Sequence, residues 1–295
     1  MFAIGAIRYR SILAHRGGPV ARLVGGTTTI LGRQQFQVCA WLRPELGGNV
    51  DTQLFGGAAG TGTAPSMMVA RFMAISEALE RWAHRACATA AAPQYGFEVD
   101  PSSNGMAAFP GLTTRPVRLR ARQEAFERLA LLSWWERGTT ARQCATAWPE
   151  VNAVELAAPD GVSMVIVHTR SAQGHFAYGH AAAADFTAAC RRAVVEMCRH
   201  DHVVRKRLGQ LEAGAAPPLT SVLERRAWYF STPAGHARFL EAVRRAERSA
   251  LRPEVDLVFD GEIPGPWTKY ADVWRVACRM PSRRFLTDQD DYFFW

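Results

Sequence analysis

The sequence predicts one mixed domain of the α/β or α+β class over residues 1–295. Helical periodicities alternate with short strand-like runs along the chain, which is typical of that class. Hydrophobic residues make up 48% of the chain and charged residues 21%, close to the averages of globular domains. No linker rich in Pro, Gly or Ser divides the chain, so we expect a single domain with a substantial core.

The charge balance is basic. The net charge of +8 comes almost wholly from arginine, because Lys206 and Lys269 are the only lysines. Such a balance suits nucleic acid, anionic lipid, a polyphosphate ligand or an acidic peptide. The arginines are scattered along the chain instead of forming one dense run, so we expect no nucleic-acid partner.

The N-terminus and the cysteines bear on location. Arg8 and Arg10 interrupt the apolar stretch that an export signal needs, and no apolar run reaches the length of a membrane span. The six cysteines show neither a C-x-x-C pair nor zinc-ligand spacing. We therefore expect a reduced, cytoplasmic protein with no membrane association.

The chain is predicted to begin with strands and turns and then to form a helix. Residues 1–60 mix short apolar runs with glycine pairs, which favours strands and turns. The first helix is predicted from Pro65 to about Arg85, where apolar residues recur at helical spacing. Its apolar stripe comprises Met68, Phe72, Ile75, Leu79 and Trp82.

A second helix and a hairpin are predicted next. The helix runs from about Pro116 to Trp135, with Leu119, Phe126 and Ala130 on one stripe. Two strand-like runs then flank a turn-forming Pro-Asp-Gly sequence, which is typical of a hairpin. The segments concerned are Val151–Leu156, Pro159–Gly161 and Val162–Thr169.

The third helix is predicted from Asp185 to about His200, with Asp185 as its N-cap. A loop, a mostly helical stretch and two strands should follow. These are Gly209–Pro218, Ser221–Ala250, Val255–Phe259 and Val273–Cys278. The alternation of helices and strands is what favours the α/β or α+β class.

Two of these helices repeat the pattern E-x-x-E-R. Glu77, Glu80 and Arg81 lie opposite the apolar stripe of the first helix, and Glu124, Glu127 and Arg128 repeat the arrangement on the second. One interpretation is a solvated face, where each ion pair stabilises a helix by about 0.2–0.5 kcal/mol. The other is a magnesium site, because Mg²⁺ prefers oxygen ligands and arginines orient phosphate. The spacing alone does not decide between them.

Other candidate sites have a structural and a functional interpretation. The run Arg199–His202 suits a metal, but basic side chains at a helix C-terminus also stabilise the helix dipole, which we favour. Trp134 and Trp135 suit base or peptide stacking, or a place in the core, and the core is favoured. The sequence contains no G-x-x-x-x-G-K-[ST] loop, which excludes a conventional P-loop ATPase.

Three segments, in this order along the chain, resemble the three motifs of the YcaO family. Each pairs a loop containing glycine with a helix carrying acidic and basic residues. They are Gly60–Ala64 with Ala70–Arg81, Ser103–Ala108 with Ala121–Arg128, and Gly179–Asp185 with Ala189–Arg199. The resemblance covers about residues 56–199, and the final strands through Arg275 to Pro281 are also similar to the closing region of the family.

The resemblance implies a single YcaO-like domain, with a motif region at about 56–200 and a C-terminal portion at about 203–295. It implies a mixed sheet and three motif helices around a site for ATP and Mg²⁺. The metal ligands implied are Glu77, Glu80, Glu124 and Glu127. The ATP-binding residues implied are Asn104, Arg81, Arg128, Arg192, Glu196 and Arg199, with no further catalytic residue assigned.

The activity implied is ATP-dependent modification of a ribosomally made peptide. A Cys, Ser or Thr side chain, or an external sulfide, adds to a backbone amide carbon, and ATP phosphorylates the resulting oxyanion. The most favoured product is an azoline, formed by cyclodehydration, and a thioamide is the alternative. A separate leader-peptide-binding protein is expected to deliver the precursor peptide, with the chain in a homodimer or hetero-complex.

Three departures from the family pattern favour a different class of function. Many relatives have lysine in the first glycine loop, where this chain has Thr61 or Thr63, and Met73 replaces a small hydroxyl residue. Arg199 stands at a glutamine position and supplies one positive charge. The tail Asp290–Trp295 is not the proline-rich tail of azoline-forming members. The alternative is a catalytically degenerate YcaO-like scaffold or peptide-recognition subunit.

Overall fold

The computed structural model describes residues 2–47, 56–88, 94–159 and 161–295. Within these residues, helices and antiparallel sheets occur in mixed order, which confirms the α+β class. The helices are α1 (Phe2–Arg8), α2 (Met67–Ala88), α3 (Arg115–Arg137), α4 (Phe186–Glu212), α5 (Val222–Ser231) and α6 (Pro233–Glu247). No helix in the described ranges is both long and apolar enough to cross a membrane.

The strands form three sheets among the described residues. The first has the order β1-β2-β3, the second β4-β10-β9 and the third β5-β6-β7-β8, and all named strand pairs are antiparallel. The strands are β1 (Val20–Ile30), β2 (Arg33–Leu42), β3 (Gly60–Ala64), β4 (Met106–Phe109), β5 (Ala141–Cys144), β6 (Asn152–Leu156), β7 (Ser163–Arg170), β8 (Phe176–Ala183), β9 (Leu257–Glu262) and β10 (Asp272–Cys278). These sheets are not the mixed sheet that the resemblance implied.

The chain divides into two compact units. The first contains the described residues before 48, with those of Gly57–Ala125 and Asp256–Arg279. The second contains the described residues of Phe126–Val255 together with Met280–Trp295. The prediction of a single domain over residues 1–295 stays a prediction.

In the first unit, α2 covers the β1-β2-β3 sheet. Ala70, Ala74, Ile75 and Leu79 of α2 are fully buried and pack with apolar residues of the strands, such as Val38. The helix follows β3 after a short turn, as the predicted start near Pro65 requires. The face of α2 that carries Glu77 lies against β3, so it is not the solvated surface that the apolar stripe suggested.

In the second unit, α4 packs on the β5-β6-β7-β8 sheet. The Asp185 carboxylate caps α4 by accepting a hydrogen bond of 2.8 Å from the backbone N–H of Ala188, which confirms the predicted N-cap. The buried stripe of Ala189, Ala193 and Met197 is also as predicted. The helix continues to Glu212, beyond the predicted end near His200, so the predicted loop starts later.

Two glycines explain why helices lie so close to these sheets. A Cβ atom on Gly62 of β3 would lie 1.9 Å from the Ala70 carbonyl oxygen of α2. A Cβ atom on Gly179 of β8 would lie 2.1 Å from the Ala193 carbonyl oxygen of α4. Both units therefore use a strand glycine opposite a helix alanine to bring main chain against main chain.

Several local predictions are wrong, and the glycines are the main reason. Gly60–Ala64 and most of Gly179–Asp185, predicted as loops, are strands, because their glycines provide close helix contact instead of turns. Residues 2–8, within a region predicted as strands and turns, form α1. The hairpin of β6 and β7 is confirmed, and Asp160 of its turn lies outside the described residues.

An aromatic core fills the second unit. Trp134 is fully buried and makes edge-on contacts with Phe239 and Phe293 at 5.8 and 5.6 Å between ring centroids. Trp135 is also buried, so the core interpretation of this pair is confirmed. Phe293 comes from the tail, which sequence reasoning treated as a short ending. The tail is therefore part of the core.

Candidate functional site

The first-unit carboxylates lie on α2 and on the N-terminal half of α3. Glu77 and Glu80 are one turn apart on α2, and Glu124 lies on α3 within the same unit. All three side chains are partly buried. They are close enough for the charges of Glu77 and Glu124 to act on Glu80. The structure thus places two of the predicted metal ligands, Glu77 and Glu124, within electrostatic range of a third, Glu80.

Glu77 is held by its own unit. Its Oε2 accepts a hydrogen bond of 2.8 Å from the backbone N–H of Thr61, and its Oε1 accepts one of 3.1 Å from Arg81. The Thr61 contact exists because β3 presents its main chain to α2. Thr61, one of two threonines in the segment where many relatives have lysine, thus contributes a backbone donor to the carboxylate.

The surroundings of Glu80 disfavour the ionised form of its carboxyl group. Burial, and then the negative charges of Glu124 and Glu77, raise its pKa well above the ordinary value. Burial alone would lower the pKa of Arg81, but Glu77, Glu80 and Glu124 raise it. Arg81 and Arg120 oppose the effect of these acids, but the pKa of Glu80 stays raised.

A buried arginine fixes the loop before β4. Arg275 of β10 is fully buried and donates hydrogen bonds to the carbonyl oxygens of Ser102 at 2.8 Å and Asp100 at 2.6 Å. Its guanidinium lies 3.9 Å from the centre of the Phe97 ring. Burial lowers its pKa to about 10, against the raising effect of acids that include Asp100 and Glu124. Arg275 thus connects this loop electrostatically with the carboxylate cluster.

Asn104, a predicted ATP contact, lies in the same loop. Its side-chain amide donates a hydrogen bond of 2.9 Å to the Asp100 carboxylate, which also accepts from the Ser102 hydroxyl at 2.6 Å. Both Asp100 and Asn104 are buried. This hydrogen bond uses the amide nitrogen of Asn104, so the amide oxygen can still accept a hydrogen bond from another group.

The fourth predicted metal ligand, Glu127, forms a separate network in the second unit. Its Oε1 lies 2.9 Å from Nδ1 of His180, and its Oε2 accepts a hydrogen bond of 2.8 Å from the backbone N–H of Ala182. Burial alone would raise the pKa of Glu127, but the hydrogen bond and charge of His180, with Arg128 and Arg192, hold it at about 2. Glu127 is therefore an ionised buried acid with protein partners at both oxygens.

The predicted phosphate arginines of this unit surround the same network. Arg192 donates a hydrogen bond of 2.7 Å to the Ala182 carbonyl oxygen, and Arg128 lies 3.4 Å from Nε2 of His180. Within the described part of the chain, the buried Nε of Arg128 has no hydrogen-bond partner. Glu196 and Arg199 pair with each other at 2.7 Å on α4, with the Glu196 side chain half exposed.

The run after Arg199 is structural. His200 is buried, accepts a hydrogen bond from the Tyr178 backbone N–H at 3.0 Å and lies 2.9 Å from the Ala227 carbonyl oxygen. Burial lowers its pKa to about 4. Asp201 pairs with His175 at 2.8 Å. These contacts give the run a structural role, but the predicted helix-dipole role is wrong, because α4 continues to Glu212.

The first-unit cluster fits a magnesium ion bound together with phosphate. Among the described residues, no group of three His, Cys, Asp or Glu side chains forms a ready-made metal cage. Mg²⁺ seldom needs one, because it keeps water and takes one or two carboxylates plus phosphate oxygens. A divalent cation at Glu80 would offset the repulsion that raises the pKa of this group.

This fold and this cluster define an α+β protein with a partly buried acidic site beside a helix–strand contact. Solved structures of similar fold identify the fold as that of YcaO proteins. YcaO from Methanopyrus kandleri bound with AMPPCP and Mg²⁺ matches with a TM-score of 0.55 and 14% identity, covering 99% of this chain and 94% of that one.

Two structures of the E. coli microcin synthetase McbBCD complex match as well. The complex with pro-MccB17 bound has a TM-score of 0.54 at 11% identity, and the other has 0.51 at 10%. Each match covers 86% of both chains. No family model matches this sequence, and no curated protein does. The likeness to the solved structures therefore shows the fold.

Sequence reasoning missed three residues that organise these sites. Asp100 and Arg275 fix the Asn104 loop, and His180 holds Glu127. One signal was available for Arg275, because it is the one charged residue of the apolar run Val273–Cys278. His180 directly follows Gly179 in the third motif, but its partner is distant in sequence.

Proposed function

We propose that this chain binds Mg²⁺-ATP and uses it to modify a backbone amide of a peptide. The observation that carries the proposal is the placement of three partly buried carboxylates, Glu77 and Glu80 on α2 and Glu124 on α3, in the first unit, where burial and the two neighbouring acids raise the pKa of Glu80. A divalent cation is the ligand that such a cluster favours. The AMPPCP and Mg²⁺ in the M. kandleri structure of the same fold support this choice.

In this proposal, Glu77, Glu80 and Glu124 hold magnesium, which would neutralise phosphate charge. Glu77 is oriented by Thr61 and Arg81, so its carboxylate is fixed before ligand arrives. Asn104 stays a predicted ATP contact, its loop held by Arg275. Glu127 stays a predicted metal ligand, although its oxygens already accept hydrogen bonds. The remaining ATP contacts predicted from the resemblance are Arg81, Arg128, Arg192, Glu196 and Arg199.

The proposed chemistry is amide activation. A nucleophile adds to the amide carbon, the oxyanion takes the terminal phosphoryl group of ATP, and phosphate then leaves with the former amide oxygen. The chain itself needs only to position the reactants and neutralise charge, as in other phosphoryl transfers. We favour azoline formation from Cys, Ser or Thr, with thioamide formation from sulfide as the alternative.

The proposed setting is the cytoplasm, with a precursor peptide and a separate leader-peptide-binding protein as partners, in a homodimer or hetero-complex. The match to a subunit of the McbBCD complex supports a multiprotein setting. All six cysteines are free in the structure, which suits reducing conditions.

One observation favours a second candidate, a scaffold or peptide-recognition subunit without turnover. Both Glu77 oxygens already accept hydrogen bonds, one of them from Thr61, in the segment where many family members have lysine. A cluster satisfied in this way can keep its shape without ATP. The two candidates differ in phosphate release.

Binding of a fluorescent ATP analogue, with and without Mg²⁺, tests the ATP site. We expect Mg²⁺-dependent binding that Glu80→Gln and Glu124→Gln each weaken at least about tenfold, since each removes a metal-facing charge. Glu241→Gln, at an exposed position on α6, is the matched control. Binding that ignores Mg²⁺, or survives Glu80→Gln, contradicts the proposal.

Phosphate release in the presence of precursor peptide and partner protein separates enzyme from scaffold. We expect release that depends on the peptide and is lost in Glu80→Gln. Mass spectrometry of the peptide then distinguishes loss of water, for an azoline, from exchange of oxygen for sulfur, for a thioamide. ATP binding without release in the reconstituted complex favours the scaffold.

A further inference from the structure

The N-terminal part of the chain is strongly basic. Up to Pro44 it contains six arginines and no aspartate or glutamate. Arg8 and Arg43 pair with Asp272 and Glu45, which come from later in the sequence. The proposed ATP site uses none of the six arginines. We therefore expect this concentration of positive charge to have a binding partner other than ATP.

Strand β1 offers main-chain hydrogen-bonding groups beside this charge. It is the outer strand of its sheet, and β2 is its paired neighbour in the described part of the chain. Outer strands usually carry prolines, charged residues or bulges, which prevent another strand from pairing with them. Between Leu23 and Ile30, β1 has only apolar residues, glycines and threonines, and its register with β2 is regular. Such an edge accepts an added strand.

An apolar groove of about 450 Å³ runs along this edge, next to the start of α2. Leu23, Val38 and Met67 contribute its apolar lining, and Met67 is 41% exposed. Gly25 keeps the groove open, because a Cβ atom there would lie 3.2 Å from the Met67 sulfur. The groove suits an apolar side chain from a strand paired with β1.

The groove is lined by basic residues and by no acidic ones. His15, Arg22 and Arg71 line it and are exposed, and no Asp or Glu is among its described lining residues. The Arg22 guanidinium lies 4.0 Å from the centre of the Trp41 ring, which restricts its position. A ligand here meets positive charge around an apolar surface.

We propose that the β1 edge and this groove bind an acidic peptide segment in an extended conformation. Its main chain pairs with β1, one apolar side chain enters the groove, and flanking carboxylates face Arg22 and Arg71. A second copy of this chain is a poor occupant, because the same surface would bring arginine against arginine. The inference does not rest on the ATP site, and its test contains no ATP.

Fluorescence anisotropy with a short labelled peptide of alternating Glu and Val tests the surface. We expect saturable binding that weakens as salt is added, and no comparable binding by the matching Lys and Val peptide. Two versions of the Glu peptide, N-methylated at alternate residues, test strand pairing. Only one edge of the peptide pairs with β1, so one version keeps affinity and the other loses it.

Three variants locate the site. Arg22→Glu and Arg71→Glu are each expected to weaken binding at least about tenfold. Arg33→Glu makes the same charge change at an exposed position of β2 that does not line the groove, and it is expected to change binding less than about threefold. Circular dichroism and thermal unfolding confirm that all three variants are folded.

Three outcomes overturn the inference. They are equal binding of acidic and basic peptides, equal effects of Arg33→Glu and Arg71→Glu, and absence of binding by the acidic peptide to the folded chain. Sedimentation provides the last check. If Arg71→Glu dissociates a dimer of the wild-type chain, the occupant is a second copy and the peptide proposal is wrong.

Discussion

At the scale of single residues, the acidic site is defined by competition between charges. Glu80 and Glu127 carry the same carboxyl group, yet the pKa of one is raised and that of the other is lowered to about 2. Two acids act on Glu80 more strongly than Arg81 and Arg120 do, whereas His180 and two arginines act on Glu127. Neighbours, and not sequence spacing, therefore set the charge state of each glutamate.

Glu80→Gln is expected to stabilise the ligand-free chain at neutral pH by about 1–2 kcal/mol, because it removes an opposed charge. The folded-state pKa of Glu80 is raised, so wild-type stability should fall as pH rises from the ordinary value of 4.5 through that raised pKa. The variant should lack this fall. Urea unfolding across pH 4–8 measures the difference, and parallel pH curves would contradict the assignment.

Glu127→Gln is expected to destabilise the chain by about 2–3 kcal/mol, because it leaves His180 and two arginines without their buried anion. The pKa of Glu127 is lowered to about 2, so its contribution is present above 4.5 and is lost as pH falls toward 2. Glu196→Gln, which breaks a half-exposed pair, is the control and should cost less than about 1 kcal/mol. Equal costs in urea unfolding would show that the buried network is unimportant.

Sequence patterns could identify some of these residues but not their surroundings. Asp185 was predictable as an N-cap because capping is local. The proximity of Glu124 to Glu80 was not, since it depends on the packing of helices separated by a loop and a strand. The family resemblance predicted that Glu80 and Glu124 belong to one site. The packing of α2 and α3 explains why the two acids interact.

At the scale of elements, both units repeat one device, a strand glycine against a helix alanine. Gly62 and Gly179 lie within the motifs that resemble the family loops, and both serve close packing. Helical periodicity predicted α2, α3 and α4, because an apolar stripe is visible in sequence. It could not reveal that β3 and β8 are strands, since glycine is a weak strand former and the reason for its presence is the facing helix.

Gly179→Ala is expected to destabilise the chain by about 3 kcal/mol or more, because its Cβ would lie 2.1 Å from the Ala193 carbonyl oxygen. Gly209→Ala, at an exposed position of α4 where the added carbon would meet no atom of the described residues within 4 Å, is the control. It should stabilise the chain by about 0.5–1 kcal/mol, since alanine favours helix. Both are measured by urea unfolding, and a neutral Gly179→Ala would refute the packing argument.

At the scale of the whole molecule, segments distant in sequence complete each unit. In the second unit, Arg226 is fully buried and donates to tail carbonyl oxygens, including those of Phe285, Thr287 and Gln289 at 2.9, 2.6 and 2.8 Å. The α+β class was predictable from the order of elements. The role of the tail was not predictable. Every residue has a main-chain carbonyl, so the sequence of the tail does not show that an arginine binds it.

Arg226→Lys is expected to destabilise the chain by about 2–4 kcal/mol, because an ammonium group cannot reach the set of carbonyls that the guanidinium binds. Arg238→Lys, which alters an exposed pair with Asp291, should cost less than about 1 kcal/mol. Thermal unfolding and limited proteolysis of the tail measure both. A tail equally resistant to protease in the two variants would contradict the role of Arg226.

The discontinuity of the units also has a consequence for synthesis on the ribosome. The first unit needs β9 and β10, which follow β3 by more than half of the chain. Ribosomes add about 5–20 residues per second, so β10 follows β3 by roughly 10–40 s. During this interval the apolar face of α2 and the open β1 edge are exposed without their full core. Nascent chains should therefore depend on chaperones until residue 279 has emerged. The first unit should complete its folding before the second, which also needs Met280–Trp295.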